Sequence, residues 1–235
     1  MPPDFTDKVA LITGGGRGIG AAVARAVAEA GAHVLLLART ESELESVYDD
    51  ITKNGGAATG VPMDLTDFPA IDRLGAALSE RWGRLDLLVA NAGALGTLTP
   101  LPHVPPEVWS DAWAVNVAAN ARLIRALDPL LMAAETPRAV FTTSGAAQKA
   151  RPFWGVYSVS KAALDALART WAHEHENDKL RINLVSPGPI RTAMRAAAMP
   201  GEDPETLPPP EAVVPVFLEL LSPDETRNGE IVGLG

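Results

Sequence analysis

Thr13-Gly14-Gly15-Gly16-Arg17-Gly18-Ile19-Gly20 is the stretch on which the reading of this chain turns. It follows directly on the apolar run Lys8–Thr13 and leads directly into the alanine-rich stretch Ala21–Ala30. Glycines let a backbone take positive φ and come close to a ligand, and the helix that follows offers free N–H groups and the positive end of its dipole. Strand, glycine turn and helix in that order suit a pyrophosphate. The stretch is not a Walker A loop, because no Gly-Lys-Ser/Thr closes it. A strand-to-helix turn that binds nothing would use glycines too, so it is the flanking elements that favour a dinucleotide.

Outward from this turn, short apolar runs recur at His33–Ala38, Ala57–Val61, Leu85–Ala90, Arg138–Thr143 and Leu180–Val185. Most lack strict alternation, which suits strands buried on both faces, and the segments between them are long enough for crossover helices. A parallel sheet with helices on both faces follows. Thr40-Glu41-Ser42-Glu43 reads as a capping box opening the helix after the second strand, and Asp67 as the cap of the next. Pro105-Pro106 should open a long helix, Pro106–Leu131, running through Trp109, Trp113 and Leu123. A second long helix is expected over Val156–Glu176. From Pro200 to Pro215 six prolines exclude one continuous helix or an inner strand; this stretch reads as a lid or connector, followed by Glu211–Leu221 and a last short strand, Gly229–Leu234.

The end of the second strand selects the dinucleotide. An acidic residue there would hold both ribose hydroxyls of NAD, but the sequence has Leu37-Ala38-Arg39-Thr40. Arg39 suits the 2′-phosphate of NADP, with Arg17 in the glycine turn as a second charge, although two solvated surface arginines would look the same.

Tyr157 and Lys161 are four residues apart in an expected helix, which stacks them on one face. A lysine cation beside a phenol favours phenolate and should bring the tyrosine from about 10 toward neutrality, where it can exchange a proton. Ser144 ends an expected strand, and the carboxyl ends of parallel strands line the ligand crevice, so its hydroxyl is placed to hold a carbonyl or alcohol oxygen. A serine-hydrolase reading fails, because Thr143-Ser144-Gly145-Ala146-Ala147 is not a Gly-x-Ser-x-Gly elbow and no histidine has an evident place beside it.

Composition narrows the remaining classes. The chain has 235 residues, 47% hydrophobic and 21% charged, with a net charge of −9, which argues against binding to phosphate backbones or anionic membranes. It has no cysteine, so disulfides and thiolate or Fe–S chemistry are excluded, and His33, His103, His173 and His175 fit no metal motif. The N-terminus carries no basic and apolar leader and there is no run of 18 apolar residues, so a cytoplasmic protein is expected.

Taken together, these motifs resemble the short-chain dehydrogenase/reductase family over nearly the whole length. Thr13–Gly20, with Gly14, Gly16, Gly18, Ile19 and Gly20 in it, is similar to the family's TGxxxGxG turn, and Asn91-Ala92-Gly93 to its NAG motif. Asn116, Ser144, Tyr157 and Lys161 match its tetrad. Pro187-Gly188-Pro189-Ile190-Arg191-Thr192 matches the loop over the nicotinamide, and Asp64, followed by Leu65, the residue that meets adenine. Within the family, NAGALGTLTPL and FWGVYSVSKAA look most like the bacterial YciK-type reductases, a subgroup that brings no settled substrate with it. Thr143 departs from the pattern, standing where many members have a second serine.

The resemblance implies a Rossmann-type, doubly wound, seven-stranded parallel sheet in the order 3-2-1-4-5-6-7, forming one domain over residues 1–235. It also implies a mobile substrate lid at about 192–215, where enclosure should fall because the chain stops at Gly235. The implied activity is NADP(H)-dependent hydride exchange with a carbonyl or alcohol. Tyr157 would be the acid/base, Ser144 would orient the oxygen, Lys161 would bind the nicotinamide ribose and lower the phenol, and Asn116 would hold a water on the proton path. Ile190 backbone groups and the Thr192 hydroxyl would hold the carboxamide. A homodimer or homotetramer paired through the two long helices is expected, with no nucleic-acid or membrane partner and no metal. Two alternatives stay open: the same chemistry with NAD(H), and a non-catalytic dinucleotide sensor on this fold. Enoyl reduction fits less well, because relatives that reduce C=C bonds space the Tyr and Lys more widely. Trp154, Phe153, Leu95, Met194 and Ala196–Ala198 would either wall an apolar substrate pocket or pack the lid.

Overall fold

The structure is a computed structural model that describes residues 3–234; the readings of the chain's two ends at Met1, Pro2 and Gly235 lie outside them. The apolar runs form seven parallel strands: β1 (Val9–Thr13), β2 (His33–Ala38), β3 (Ala57–Pro62), β4 (Leu87–Ala90), β5 (Arg138–Thr142), β6 (Arg181–Ser186) and β7 (Ile231–Gly233). They stand in one sheet in the order β3-β2-β1-β4-β5-β6-β7. The expected fold is therefore the observed one, with strand ends displaced by a residue or two.

Burial explains the unalternating sequence of the inner strands. Val9 and Leu11 pack into one core with Leu88 and Ala90, while Ala10 and Ile12 pack into a second with Leu87 and Val89. Each strand thus feeds both faces of the sheet, and each buried leucine or valine contributes about 1.5–3 kcal/mol. The first core is covered by α3 (Phe68–Trp82), α5 (Ala119–Ala133) and α7 (Gly155–Glu174), the second by α1 (Gly18–Glu29), α2 (Glu41–Lys53) and α9 (Val214–Leu221). At the α3–α5 contact a Cβ on Gly75 would lie 2.9 Å from the Ala126 carbonyl oxygen, so only glycine allows this approach.

The expected helix starts hold, with one correction and one interruption. Asp67 caps α3, accepting from the Ala70 N–H at 3.1 Å. α2 starts after Thr40 as expected, but the Thr40 hydroxyl makes no capping bond. The Glu43 carboxylate meets the Arg17 guanidinium at 3.3 Å across the glycine turn, and no capping box forms. The long helix expected over Pro106–Leu131 is α4 (Pro106–Trp113), one π-helical stretch, Ala114–Ala118, and then α5. Such a stretch inserts one residue into the ladder and rotates the side chains that follow, a feature frequent at functional sites.

Between β6 and α9 the proline-rich segment forms a six-residue helix, α8 (Ala193–Ala198), and two 3₁₀ turns, Pro204–Thr206 and Pro210–Val213. It is more firmly bonded internally than its prolines suggest. Arg195 grips Glu202 with two bonds of 2.5 and 2.6 Å, Arg191 reaches Glu205 at 2.6 Å, and the Arg191 N–H donates to the Pro208 carbonyl.

Candidate active site

Parallel register brings the sequence motifs level. Thr13 pairs with both Leu37 and Ala90, and Ala90 with Phe141, so Gly14, Ala38, Asn91 and Thr142 emerge together at the carboxyl edge of the sheet. The strand order reverses between β1 and β4, which is where open α/β sheets bind ligands.

At that reversal the glycine turn fits against the start of the NAG motif. Gly14 has φ +66°, and a Cβ there would lie 2.9 Å from Asn91 Nδ2. A Cβ on Gly20 would meet the Gly14 carbonyl oxygen at 2.1 Å. The Asn91 amide donates to the Thr13 and Gly14 carbonyls, its Oδ1 accepts from the Thr142 hydroxyl at 3.2 Å, and the Thr13 hydroxyl accepts from the Asn91 and Ala92 N–H groups. One side chain therefore joins the ends of β1, β4 and β5. Gly18 and Ile19, both partly exposed, open α1 after Arg17, while Gly16 packs against Glu43 and Ala38. Thr192 lies opposite: its Cγ2 would be 3.5 Å from a Cβ on Gly18.

The charged end of the crevice holds Arg39, with a side chain 72% exposed and a guanidinium 3.9 Å from Asp64 Oδ2. Asp64 also accepts from the Thr66 N–H and hydroxyl, and these bonds, with Arg39, hold its carboxyl below the usual range. Leu65 beside it is buried in the core. Arg17, likewise exposed, meets Glu43 at 3.3 Å. Both arginines are within reach of solvent, as a phosphate site requires.

Tyr157, Lys161 and Ser144 come together at the other end, with Ser144 just before the short helix α6 (Ala146–Lys149). Tyr157 lies on α7 with its phenol buried, and Ser144, whose hydroxyl accepts from the Ala146 N–H at 3.2 Å, lies near enough to favour the phenolate. Trp154 stands edge-on to the Tyr157 ring, with centroids 6.0 Å apart. Lys161, 2% exposed, lies one turn on; its Nζ is 5.9 Å from the ring centre and donates to the Thr142 carbonyl at 2.8 Å. The electrostatics differ from the sequence expectation. Burial pushes the phenol above its usual value, Ser144 opposes this, and Lys161 does not bring it down; burial also pulls the lysine itself down to about 8. The ammonium is turned toward the strand-end carbonyl, so the phenol gains little from it.

Asn116 is in the π-helical stretch and fully buried. Its side chain is committed: Oδ1 accepts from the Ala94 N–H, and Nδ2 donates to the Ala94 carbonyl and to Ser160 Oγ, at 2.8, 2.8 and 2.9 Å. Its carbonyl accepts from Asn120 Nδ2 at 2.9 Å. The side chain therefore clamps the NAG loop to α7. A Cβ on Gly93 would stand 3.3 Å from Asn116 Oδ1 and 3.4 Å from Lys161 Nζ, so Gly93 faces both.

After β6 the chain continues through Pro187, Gly188 (φ +73°) and the buried Ile190 to Thr192, whose hydroxyl caps α8 by accepting from the Arg195 N–H. Of the apolar residues expected at the pocket, Trp154 stands edge-on to Tyr157, Phe153 and Met194 are exposed, and Ala198 packs inside. The Phe153 carbonyl accepts from the Thr99 N–H and ties the loop before Tyr157 to the loop after the NAG motif. Sequence reading missed Thr13, Thr142, Asn120, Ser160 and Asp165 as parts of this network. Only Asp165 gave a signal, standing four residues beyond Lys161. Among the described residues no three His, Cys, Asp or Glu side chains are grouped to hold a metal, and no helix is long and apolar enough to cross a membrane.

Fold and site together define the Rossmann class of α/β proteins. More particularly, the chain belongs to the short chain dehydrogenase family, whose sequence pattern matches residues 8–203. It is 37% identical over 227 residues to the uncharacterized oxidoreductase YciK of Escherichia coli K12, a match covering 95% of this chain and 90% of that one. A structure from Pseudomonas syringae described as a short chain dehydrogenase superposes with a TM-score of 0.96 at 41% identity, covering 99% and 96% of the two chains. One from Escherichia coli CFT073, described likewise and solved with NADPH, gives 0.95 at 34% identity, covering 99% and 98%.

Proposed function

We propose that this protein is an NADP(H)-dependent carbonyl reductase or alcohol dehydrogenase in which Tyr157 carries the proton. The observation behind this reading is the buried phenol with Ser144 beside it and a buried lysine one helical turn away, its Nζ 5.9 Å from the ring centre. The crevice fits the cofactor: the glycine cradle has no room for a Cβ at Gly14 or Gly20, and Arg39 and Arg17 stand at the 2′-phosphate end. NADPH bound to the Escherichia coli CFT073 relative supports the same choice. Gly14, Gly16, Arg17, Gly18, Ile19 and Gly20 would hold the pyrophosphate, Asp64 and Leu65 the adenine, and Asn91, Ala92 and Gly93 the nearer ribose. Lys161 would hold the nicotinamide ribose, with Pro187, Gly188, Ile190 and Thr192 at the carboxamide. The bound nicotinamide supplies or accepts the hydride.

The chain's own groups do the rest. Ser144 holds the substrate oxygen and, standing beside the phenol, favours its deprotonated form. Tyr157 gives its proton to that oxygen in reduction and takes it in oxidation. Because burial keeps the phenol protonated in the free protein, it is ready as an acid. Residues 192–215 act as the lid, and two or four copies associate through α4, α5 and α7, where Trp109, Trp113 and Val159 are exposed. An NADPH-consumption screen over aldehydes, ketones, 3-ketoacyl thioesters, quinones and steroids tests the reading. Turnover of at least one class with NADPH in preference to NADH is expected; NADPH binding without turnover of any would favour the sensor alternative.

A further inference from the structure

Tyr157, Lys161 and Asp165 follow one another at intervals of four along α7, which places them on one face. The first two form the Tyr-x-x-x-Lys pair; the third has no part in the scheme above, yet it is buried and bonded into the same strand end. Thr142 and Thr143 are successive residues at the end of β5. The Thr142 carbonyl accepts a hydrogen bond from Lys161 Nζ, and the Thr143 hydroxyl donates to Asp165 Oδ1. Ser144 comes next. The two α7 side chains thus hold the two residues immediately before the serine.

We propose that Asp165 is a positioning residue of this site: through Thr143 it fixes the strand end that presents Ser144, and it supplies the negative charge that keeps buried Lys161 an ammonium. Among the described residues Lys161 makes no ion pair within contact distance, and the only charge that bears on it is Asp165. An unpaired buried ammonium is costly, and a carboxylate one turn away offsets part of that cost. Burial raises the Asp165 carboxyl, and the groups that face it, Thr143 from the strand end and Lys161 and Arg169 from its own helix, all oppose that rise. Those facing Lys161 are the Thr142 carbonyl from β5, Gly93 of the NAG loop, and Tyr157 and Asp165 from α7. The departure from the family pattern at Thr143 also finds a role here, since its hydroxyl reaches the carboxylate as a serine would.

The inference rests on Tyr157 and Lys161 being the working groups, but its test does not. The side-chain ¹³Cε and ¹⁵Nζ signals of Lys161, assigned with Lys161→Arg, are titrated in the free protein. With Asp165 present the lysine is expected to titrate near 8. In Asp165→Asn it should fall by about one unit or more, the usual effect of losing an opposite charge at close range. Asp165→Glu should restore part of the shift. Should Asp165→Asn not fold, Thr143→Val removes the donor and keeps the carboxylate, and a smaller fall in the same direction, reversed in Thr143→Ser, is expected. Lys161 titrating at the same pH in these variants as in the parent overturns the proposal. With a substrate in hand, the alkaline limb of reductase kcat should move to lower pH in Asp165→Asn while activity at low pH survives; equal loss at every pH means a structural role alone and also overturns it. A lysine that shifts in a protein without turnover would leave Asp165 in its role and remove only the catalytic reading.

Discussion

Lys161 Nζ is sealed from solvent and donates to the Thr142 carbonyl at 2.8 Å, so the last residue of β5 and the middle of α7 are joined by a buried cation. Burial brings this lysine from 10.5 down to about 8. The folded state therefore binds fewer protons than the unfolded chain between those values, and stability should rise as pH increases from about 8 to 10.5. The difference corresponds to about 3 kcal/mol. Urea unfolding across this range should show the rise in the parent protein and its loss in Lys161→Met; parallel pH profiles would mean that the lysine is solvated.

Cofactor choice is placed on Arg39. Replacing it by Asp removes the partner of a 2′-phosphate and adds a repelling charge beside Asp64, so NADPH binding should weaken by roughly tenfold or more while NADH gains relative to it. Calorimetric titration with both dinucleotides reads this directly. An unchanged ratio would move the phosphate to Arg17.

Lid closure should appear in hydrogen exchange. The two bonds between Arg195 and Glu202 brace α8 against the turn that follows it, so residues 193–202 should exchange as a unit in the free protein and slow further with NADPH. Glu202→Ala should speed exchange of that unit without altering the sheet. Full protection before ligand is added would contradict gating by this segment.

Assembly is expected through α4 and α7. Trp109 and Trp113 lie one turn apart on α4 and are exposed with Val159 of α7, an apolar surface that a monomer leaves in water. Light scattering at micromolar concentration should give two or four times the 24.7 kDa chain, and Trp113→Glu should reduce it. A single-chain mass in the parent protein would rule out this assembly.

The motifs that could be read from sequence were those set by spacing or by steric exclusion. Four residues between Tyr157 and Lys161 fix a shared helical face whatever surrounds them, and the glycines of the β1–α1 turn are required by backbone contacts a few atoms long. Much less legible were features decided by competing partners. The π-helical stretch at Ala114–Ala118 has the composition of an ordinary helix; it arises where Asn116 reaches back to Ala94. Thr40 and Glu43 have capping-box spacing, but Arg17 brings a stronger, charged partner to the glutamate from another turn. The direction of the Tyr157 shift depended on burial, which a charge four residues away does not reveal. Asp165 was visible in the spacing, yet its meaning came only with Thr143, twenty-two residues earlier, at the end of the neighbouring strand.

The measurement that bears most directly on the account is turnover by Tyr157→Phe with NADPH and a carbonyl substrate found by the screen, made alongside NADPH binding. The substitution removes one hydroxyl and keeps the ring against Trp154. Turnover should fall by a factor of about 10² to 10⁴, the span expected for one acid–base group, with NADPH affinity within a few-fold of the parent. Full turnover by Tyr157→Phe would contradict the assignment of the proton to this phenol and, with it, the proposed chemistry of the site.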